Sequence, residues 1–139
     1  MTGLPKPYEA STHEVWVRRF GGLVDPEGPN GEHQLHGRRA LVSWECGLYV
    51  ATIDGITEYV GCVDRHDGTG YDERLASHHQ DVDSWERVWL IPFRPRVAHR
   101  IVLWAEARMI SGLRPPANAT MPATNIGRRL VAEGVIGRG

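Results

Sequence analysis

Cysteine is nearly missing from this sequence. Cys46 and Cys62 are the only two, too few for a disulfide framework or a four-cysteine zinc site and in keeping with a reducing compartment. No apolar run approaches the roughly 18 residues needed to cross a bilayer. The opening MTGLPKPYEASTHE also lacks the basic-then-apolar order of a secretory signal. These absences lead us to expect a cytoplasmic protein with no membrane partner. Internal repeats and low-complexity blocks are absent. The loop HDGTG, His66 to Gly70, lacks the Lys-Ser or Lys-Thr of a Walker motif and receives no nucleotide role. Neither end of the chain shows a helix-turn-helix or finger pattern.

A net basic charge is missing too, at a formal −1, although phosphate binding usually leaves a basic footprint. The average hides a segregation. Residues 1–86 hold seven Lys or Arg against fifteen Asp or Glu, a net of −8, whereas residues 87–139 hold nine Arg against two Glu, a net of +7. Folding can gather the second half into one basic face or interleave the halves, so a polyanion partner is permitted without being required. The rest of the composition, 41% hydrophobic and 24% charged over 139 residues, is that of one compact domain.

Residues 1–14 read as a loose arm, HEVWVRRF (13–20) as a strand by its alternation, and DPEGPNGEH (25–33) as a loop. Arg38 to Trp44 reads as a strand. YDERLASHHQ (71–80) follows as a short helix with acids in its first turn, and WERVWLIPF (85–93) as a strand. A long helix is expected over Arg94–Gly112, opened after Pro95.

At the centre lies CGLYVATIDGITEYVGCV, Cys46 to Val63, a hairpin with Tyr49 and Tyr59 each two positions from a glycine. A two-residue Asp54-Gly55 turn would set Tyr49 opposite Val60 and put the phenols on opposite sides of the sheet. A three-residue loop, Ile53-Asp54-Gly55, sets Tyr49 directly opposite Tyr59. It gives one face of Tyr49, Ala51, Tyr59 and Gly61 and a core face of Leu48, Val50, Val60 and Cys62. We expect the second arrangement, because only then can both tyrosines serve one site. An aromatic cross-strand pair that merely stabilises the sheet would look the same.

Further along, Arg74 and His78 stand four apart in the expected helix and so share a face. Glu106 sits among apolar residues in IVLWAEARMI, where a carboxylate needs an arginine or a metal ion. Asn118, in Pro116-x-Asn118, comes twelve residues after Glu106. The order Gly47-Leu48-Tyr49, Tyr59-Val60-Gly61, Arg74 with His78, Glu106 and Asn118 resembles the catalytic domain of the GIY-YIG nuclease family. Its Arg-x-x-x-His spacing is similar to that of some restriction endonucleases. The likeness covers residues 47–118. The interval from Tyr59 to Arg74 is longer than the family pattern and contains Arg65, a rival for the catalytic arginine.

The resemblance implies a small α+β fold with a three-stranded antiparallel sheet flanked by helices. Residues 46–118 would form the nuclease core, 1–45 an N-terminal extension and 119–139 a tail. It implies a metal-dependent endonuclease acting on nucleic acid, with DNA the expected substrate. Glu106 would hold one Mg²⁺ or Mn²⁺ ion, and Arg74 would contact the scissile phosphate. Tyr49 would orient or deprotonate the attacking water; a phenol with its ordinary pKa of about 10 needs a nearby cation for that. Tyr59 would bond the phosphate or its partner tyrosine, His78 the phosphate or a proton in transfer, and Asn118 would tie down the loop after the Glu106 helix or touch the substrate backbone. Arg94, Arg96, Arg100, Arg114, Arg128 and Arg129 are the expected backbone contacts, and a homodimer would allow both strands to be cut. A catalytically silent nucleic-acid-binding module on the same fold is the alternative. Cys46, Cys62, His66, His78 and His79 match no zinc-site spacing, and His33 with His36 in GEHQLHG reads as polar surface.

Overall fold

The computed structural model describes residues 4–34, 44–64, 85 and 87–119. These form an α+β fold: α1 (Ala10–Phe20), β1 (Gly31–Gln34), β2 (Cys46–Ile53), β3 (Ile56–Asp64), β4 (Arg87–Pro92) and α2 (His99–Leu113), with short 3₁₀ turns after each helix. The four strands make one antiparallel sheet in the order β1-β4-β2-β3. The expected three strands are present as β4-β2-β3. The fourth is GEHQ, whose first three residues fall in the expected loop 25–33: its composition is polar, and it becomes a strand only by pairing along β4, Gly31 with Leu90 through Gln34 with Arg87.

Two further expectations are corrected. His13 to Phe20 is helical, not extended. Val15 and Val17 imitate strand alternation, but His13, Trp16, Val17 and Phe20 also follow the i, i+3, i+4, i+7 helical period. His13, Trp16 and Phe20 are the buried residues of α1, and burial of that stripe decides the conformation. The second helix begins at His99, not beside Pro95. Residues 94–97 close a turn through Val97 N–H to Arg94 C=O at 3.0 Å, and Ala98 is extended at the cap position.

Parity along the strands divides the core. Leu48, Val50, Val60, Cys62, Trp89 and Ile91 face one way and pack with Trp16 and Phe20 of α1 and with Val102, Leu103, Met109, Ile110 and Leu113 of α2. Tyr49, Ala51, Tyr59, Val63, Val88 and Leu90 face the other way and pack with Trp85 and Ala117. Both helices therefore cover the first face, and they touch where Gly112 of α2 meets the Trp16 ring. Cys46 and Cys62 are buried on that face and form no disulfide. Cys46 pairs with Asp64 and Cys62 with Leu48, so they lie diagonal to each other and not opposite as the expected register placed them.

The N-terminal segment closes the hairpin end. Tyr8 N–H donates to Gly55 C=O at 2.8 Å, Thr57 N–H to Lys6 C=O at 2.9 Å, and Lys6 N–H to Leu113 C=O at 3.4 Å. Beneath it the Tyr8 hydroxyl bonds His13 Nδ1 at 2.8 Å, and His13 Nε2 bonds Asn30 Oδ1 at 2.5 Å. Burial pushes the Tyr8 phenol pKa far up and the His13 imidazole pKa down, which favours neutral forms of both. No helix among the described residues is long and apolar enough to cross a membrane.

Candidate functional site

The hairpin reaches the expected face by a different route. Asp54 and Gly55 occupy left-handed backbone at φ 53° and 74°, and Ile53 pairs with Ile56, which is the two-residue turn and not the three-residue loop. Unbroken pairing from that turn would have separated the tyrosines. The register instead slips between Ala51 and Thr52: Thr52 pairs with Thr57 but Ala51 with Tyr59, leaving Glu58 as the extra residue of a β-bulge. One inserted residue inverts the parity of everything beyond it in β3. Tyr49, Ala51, Tyr59 and Gly61 consequently share a face, as expected.

The two phenol rings are diagonal neighbours and not directly opposed, because Tyr49 pairs with Gly61 and Tyr59 with Ala51. Their centroids lie 6.0 Å apart at an interplanar angle of 39°. The Tyr49 ring covers Gly61 so closely that a Cβ there would fall 2.3 Å from its Cζ. The glycine of Tyr59-Val60-Gly61 is thus required by the tyrosine of Gly47-Leu48-Tyr49. Tyr59 in turn stacks on Trp85, with centroids 5.4 Å apart and planes within 16°. Both tyrosines are wholly buried.

Asn118 binds the same tripeptide. Its Oδ1 accepts from Val60 N–H at 2.9 Å and its Nδ2 donates to Val60 C=O at 2.8 Å. β3 is an edge strand, so the amide acts as a one-residue strand that satisfies two backbone groups otherwise left unpaired. Of the two roles expected of Asn118, tying down the segment after α2 is the one its contacts describe.

Glu106 is buried, at 1% exposure, in the middle of the α2 face that packs on the sheet. Its helical neighbours at three and four residues, Val102, Leu103, Met109 and Ile110, belong to the core on the helix side. The tyrosines belong to the core on the other side. Among the described residues no group of three or more His, Cys, Asp or Glu could hold a metal ion. A carboxylate oxygen suits Mg²⁺, and the several waters that ion retains require solvent to reach Glu106, which is 1% exposed among apolar side chains. Arg65, Arg74, His78, Arg128 and Arg129 lie outside the described residues. Arg94, Arg96, Arg100 and Arg114 are all exposed, and Arg94 Nε donates to Gly22 C=O at 3.0 Å.

Sequence reading missed a further pair. Asp64, buried at the end of β3, accepts from or pairs with His99 Nδ1 at 2.8 Å at the start of α2. The odd separation of Asp64 from Tyr59 places it on the helix-side face, which strand parity alone indicates. Together with Asn118 after α2, the contact fixes both ends of the Glu106 helix to β3. An open groove of about 420 Å³, lined by Lys6, Glu9, Trp16, Arg19 and Leu113 among others, also lies by the helices and not by the tyrosines.

No family model, no curated protein and no solved structure matches the chain.

Proposed function

We propose that the chain is a metal-dependent endonuclease that hydrolyses phosphodiester bonds of nucleic acid, with DNA the expected substrate, on the pattern of the GIY-YIG nucleases. One observation carries the reading: the Tyr49 ring seated on Gly61, with Asn118 clamping Val60 between Tyr59 and Gly61. Three separate elements of the sequence pattern meet at that point, and the Tyr49 ring accounts for the glycine at 61. Cys46 and Cys62, buried and not disulfide-bonded, suit action in the reducing cytoplasm.

A divalent ion on Glu106, Mg²⁺ or Mn²⁺, would neutralise charge gathering on the phosphoryl oxygens and acidify its bound water. The Tyr49 hydroxyl would orient the attacking water, and Tyr59 would bond the phosphate or its neighbouring phenol. Arg74 would donate two hydrogen bonds to the phosphoryl oxygens as charge builds, with His78 assisting proton transfer. The tyrosines and the apolar neighbours of Glu106 lie on different sides of the sheet. The reading therefore requires Glu106 to serve the tyrosines past the edge of β3.

Complete burial of both phenols favours one other reading, a nucleic-acid-binding module of the same fold that does not cut. Incubation with plasmid and Mg²⁺, followed by end-group analysis, separates the two. The nuclease reading expects 5′-phosphate and 3′-hydroxyl ends, no cleavage by folded Glu106→Ala, and a loss of about 2.7–4 kcal/mol of transition-state stabilisation in Arg74→Ala, on the scale of one oxyanion donor. Equal rates for wild type and Glu106→Ala would overturn the mechanism. A larger loss in Arg65→Ala than in Arg74→Ala would move the catalytic arginine.

A further inference from the structure

Between residues 94 and 114 the chain carries five arginines, Arg94, Arg96, Arg100, Arg108 and Arg114, and every one is exposed. The single acid in that span, Glu106, is buried. Such a run presents positive charge to solvent with no exposed acid of its own to offset it. Among the described residues Arg96, Arg108 and Arg114 form no ion pair, in contrast to Arg18 with Glu14 and Arg87 with Glu32.

The helix arranges part of this charge. Arg100, Trp104 and Arg108 are spaced i, i+4, i+8, which sets them in a stripe along the outer side of α2, about 12 Å from first to last at 1.5 Å per residue. The Arg108 guanidinium lies over the Trp104 ring, 5.5 Å from its centroid. Trp104 is half-buried and packs inward against the helix-side core, so it fixes one side of the arginine without hiding it. Delocalised guanidinium groups beside an aromatic plane suit a chain of phosphates carrying bases, since Arg binds phosphate through paired N–H donors and rings accept bases on their faces.

We propose that the outer face of α2, Arg100–Trp104–Arg108 continued by Arg96 before the helix and Arg114 after it, is a nucleic-acid backbone-binding surface distinct from the tyrosine face. It lies across the sheet from the phenols. It therefore holds a stretch of nucleic acid apart from any scissile bond and raises its local concentration without selecting its sequence. The proposal goes beyond the nuclease reading and does not depend on cleavage. Binding without metal tests it even in a protein that cuts nothing.

The experiment is fluorescence anisotropy with a labelled 20-base-pair duplex and a labelled 20-nucleotide single strand, in EDTA, between 50 and 300 mM salt. Variants are Arg108→Ala, Arg96→Ala/Arg108→Ala, Arg108→Lys and Arg18→Ala; all change exposed side chains, and circular dichroism verifies their folding. For the duplex, each contact removed should lower the slope of log affinity against log salt by roughly 0.9, against roughly 0.7 for the single strand. Unrelated sequences should weaken alike. Arg108→Lys should keep most of the slope, and Arg18→Ala should leave it unchanged. The proposal fails if the wild-type protein binds neither nucleic acid at 50 mM salt, or if the double variant keeps the wild-type slope. It fails equally if polyglutamate of matched charge competes as well as the duplex, since the face would then suit an acidic protein partner.

Discussion

The two faces of the sheet are built on opposite principles. The helix side packs Leu, Val, Ile and Met against two amphipathic helices, with His13 held between Tyr8 and Asn30 beside them. The tyrosine side sets two phenols beside Ala51 and Gly61, and one of its neighbours, Asn118, spends its amide on the backbone of an edge strand. Generic hydrophobic burial explains the first face. The second depends on particular residues at particular positions, since a Cβ at Gly61 has no room and no other side chain forms both of the Asn118 bonds with the same reach. That contrast locates specificity on the tyrosine side, and substitutions on the two sides should separate accordingly.

The largest effect is expected at Asn118→Ala. It leaves the Val60 N–H and C=O without their bonds in a buried place, at about 1–3 kcal/mol each, so denaturant unfolding should show a loss of about 2–4 kcal/mol. A loss below about 1 kcal/mol would mean that water replaces the amide and that the clamp is incidental. Gly61→Ala comes next, at about 2–3 kcal/mol of overpacking against a wholly buried ring. The double variant with Tyr49→Ala should recover part of that loss, and strict additivity would show that the ring is not what excludes the methyl group.

On the helix side the effects are graded or small. The His13 pKa is lowered by burial, so the unfolded chain takes up the proton first as pH falls. Stability from this group is complete above the unfolded-state value of about 6.5 and is lost below it. Denaturation at pH 7.5 and 5.5 should show the wild type weakening on acidification and His13→Gln weakening less. Matching pH dependences would remove His13 as the cause. Gly112→Ala makes a sharper comparison with Gly61: its added Cβ would stand 2.8 Å from Trp16, which lines an open groove, and alanine gains about 1 kcal/mol of helix propensity. The two terms oppose each other, so little net change is expected. Smallest of all is Arg18→Ala, which breaks an exposed pair with Glu14 and should cost less than about 0.5 kcal/mol.

Much of the tyrosine side was legible in the sequence, down to which residues share it, because strand side chains alternate and a site needs both phenols on one face. The mechanism of that sharing was not legible. Asp54-Gly55 signals a two-residue turn by itself, but nothing about Glu58 announces a bulge, and bulge position follows from how β3 packs and not from one residue type. The helix side misled more. Alternating valines in α1 carry both periods at once, and the choice between them is made by the sheet that buries Trp16 and Phe20. β1 could not be read at all, since a four-residue polar strand exists only through its partner. Glu106 was recognised as a buried carboxylate from its apolar neighbours. Its side of the sheet could be assigned only once α2 was seen to lie with α1.

Tyr49→Phe tests the central claim, that the tyrosine face performs chemistry and is not only packed. The substitution keeps the ring on Gly61 and removes the hydroxyl alone. Plasmid cleavage in Mg²⁺ under single-turnover conditions should be measured beside denaturant unfolding of the same preparations. The account predicts a stability within about 1.5 kcal/mol of wild type, the scale of one hydrogen bond, together with cleavage slowed at least a hundredfold, on the order of the 10²–10⁴ supplied by a positioned acid or base. Cleavage by Tyr49→Phe at the wild-type rate would contradict it and leave the two tyrosines as packing.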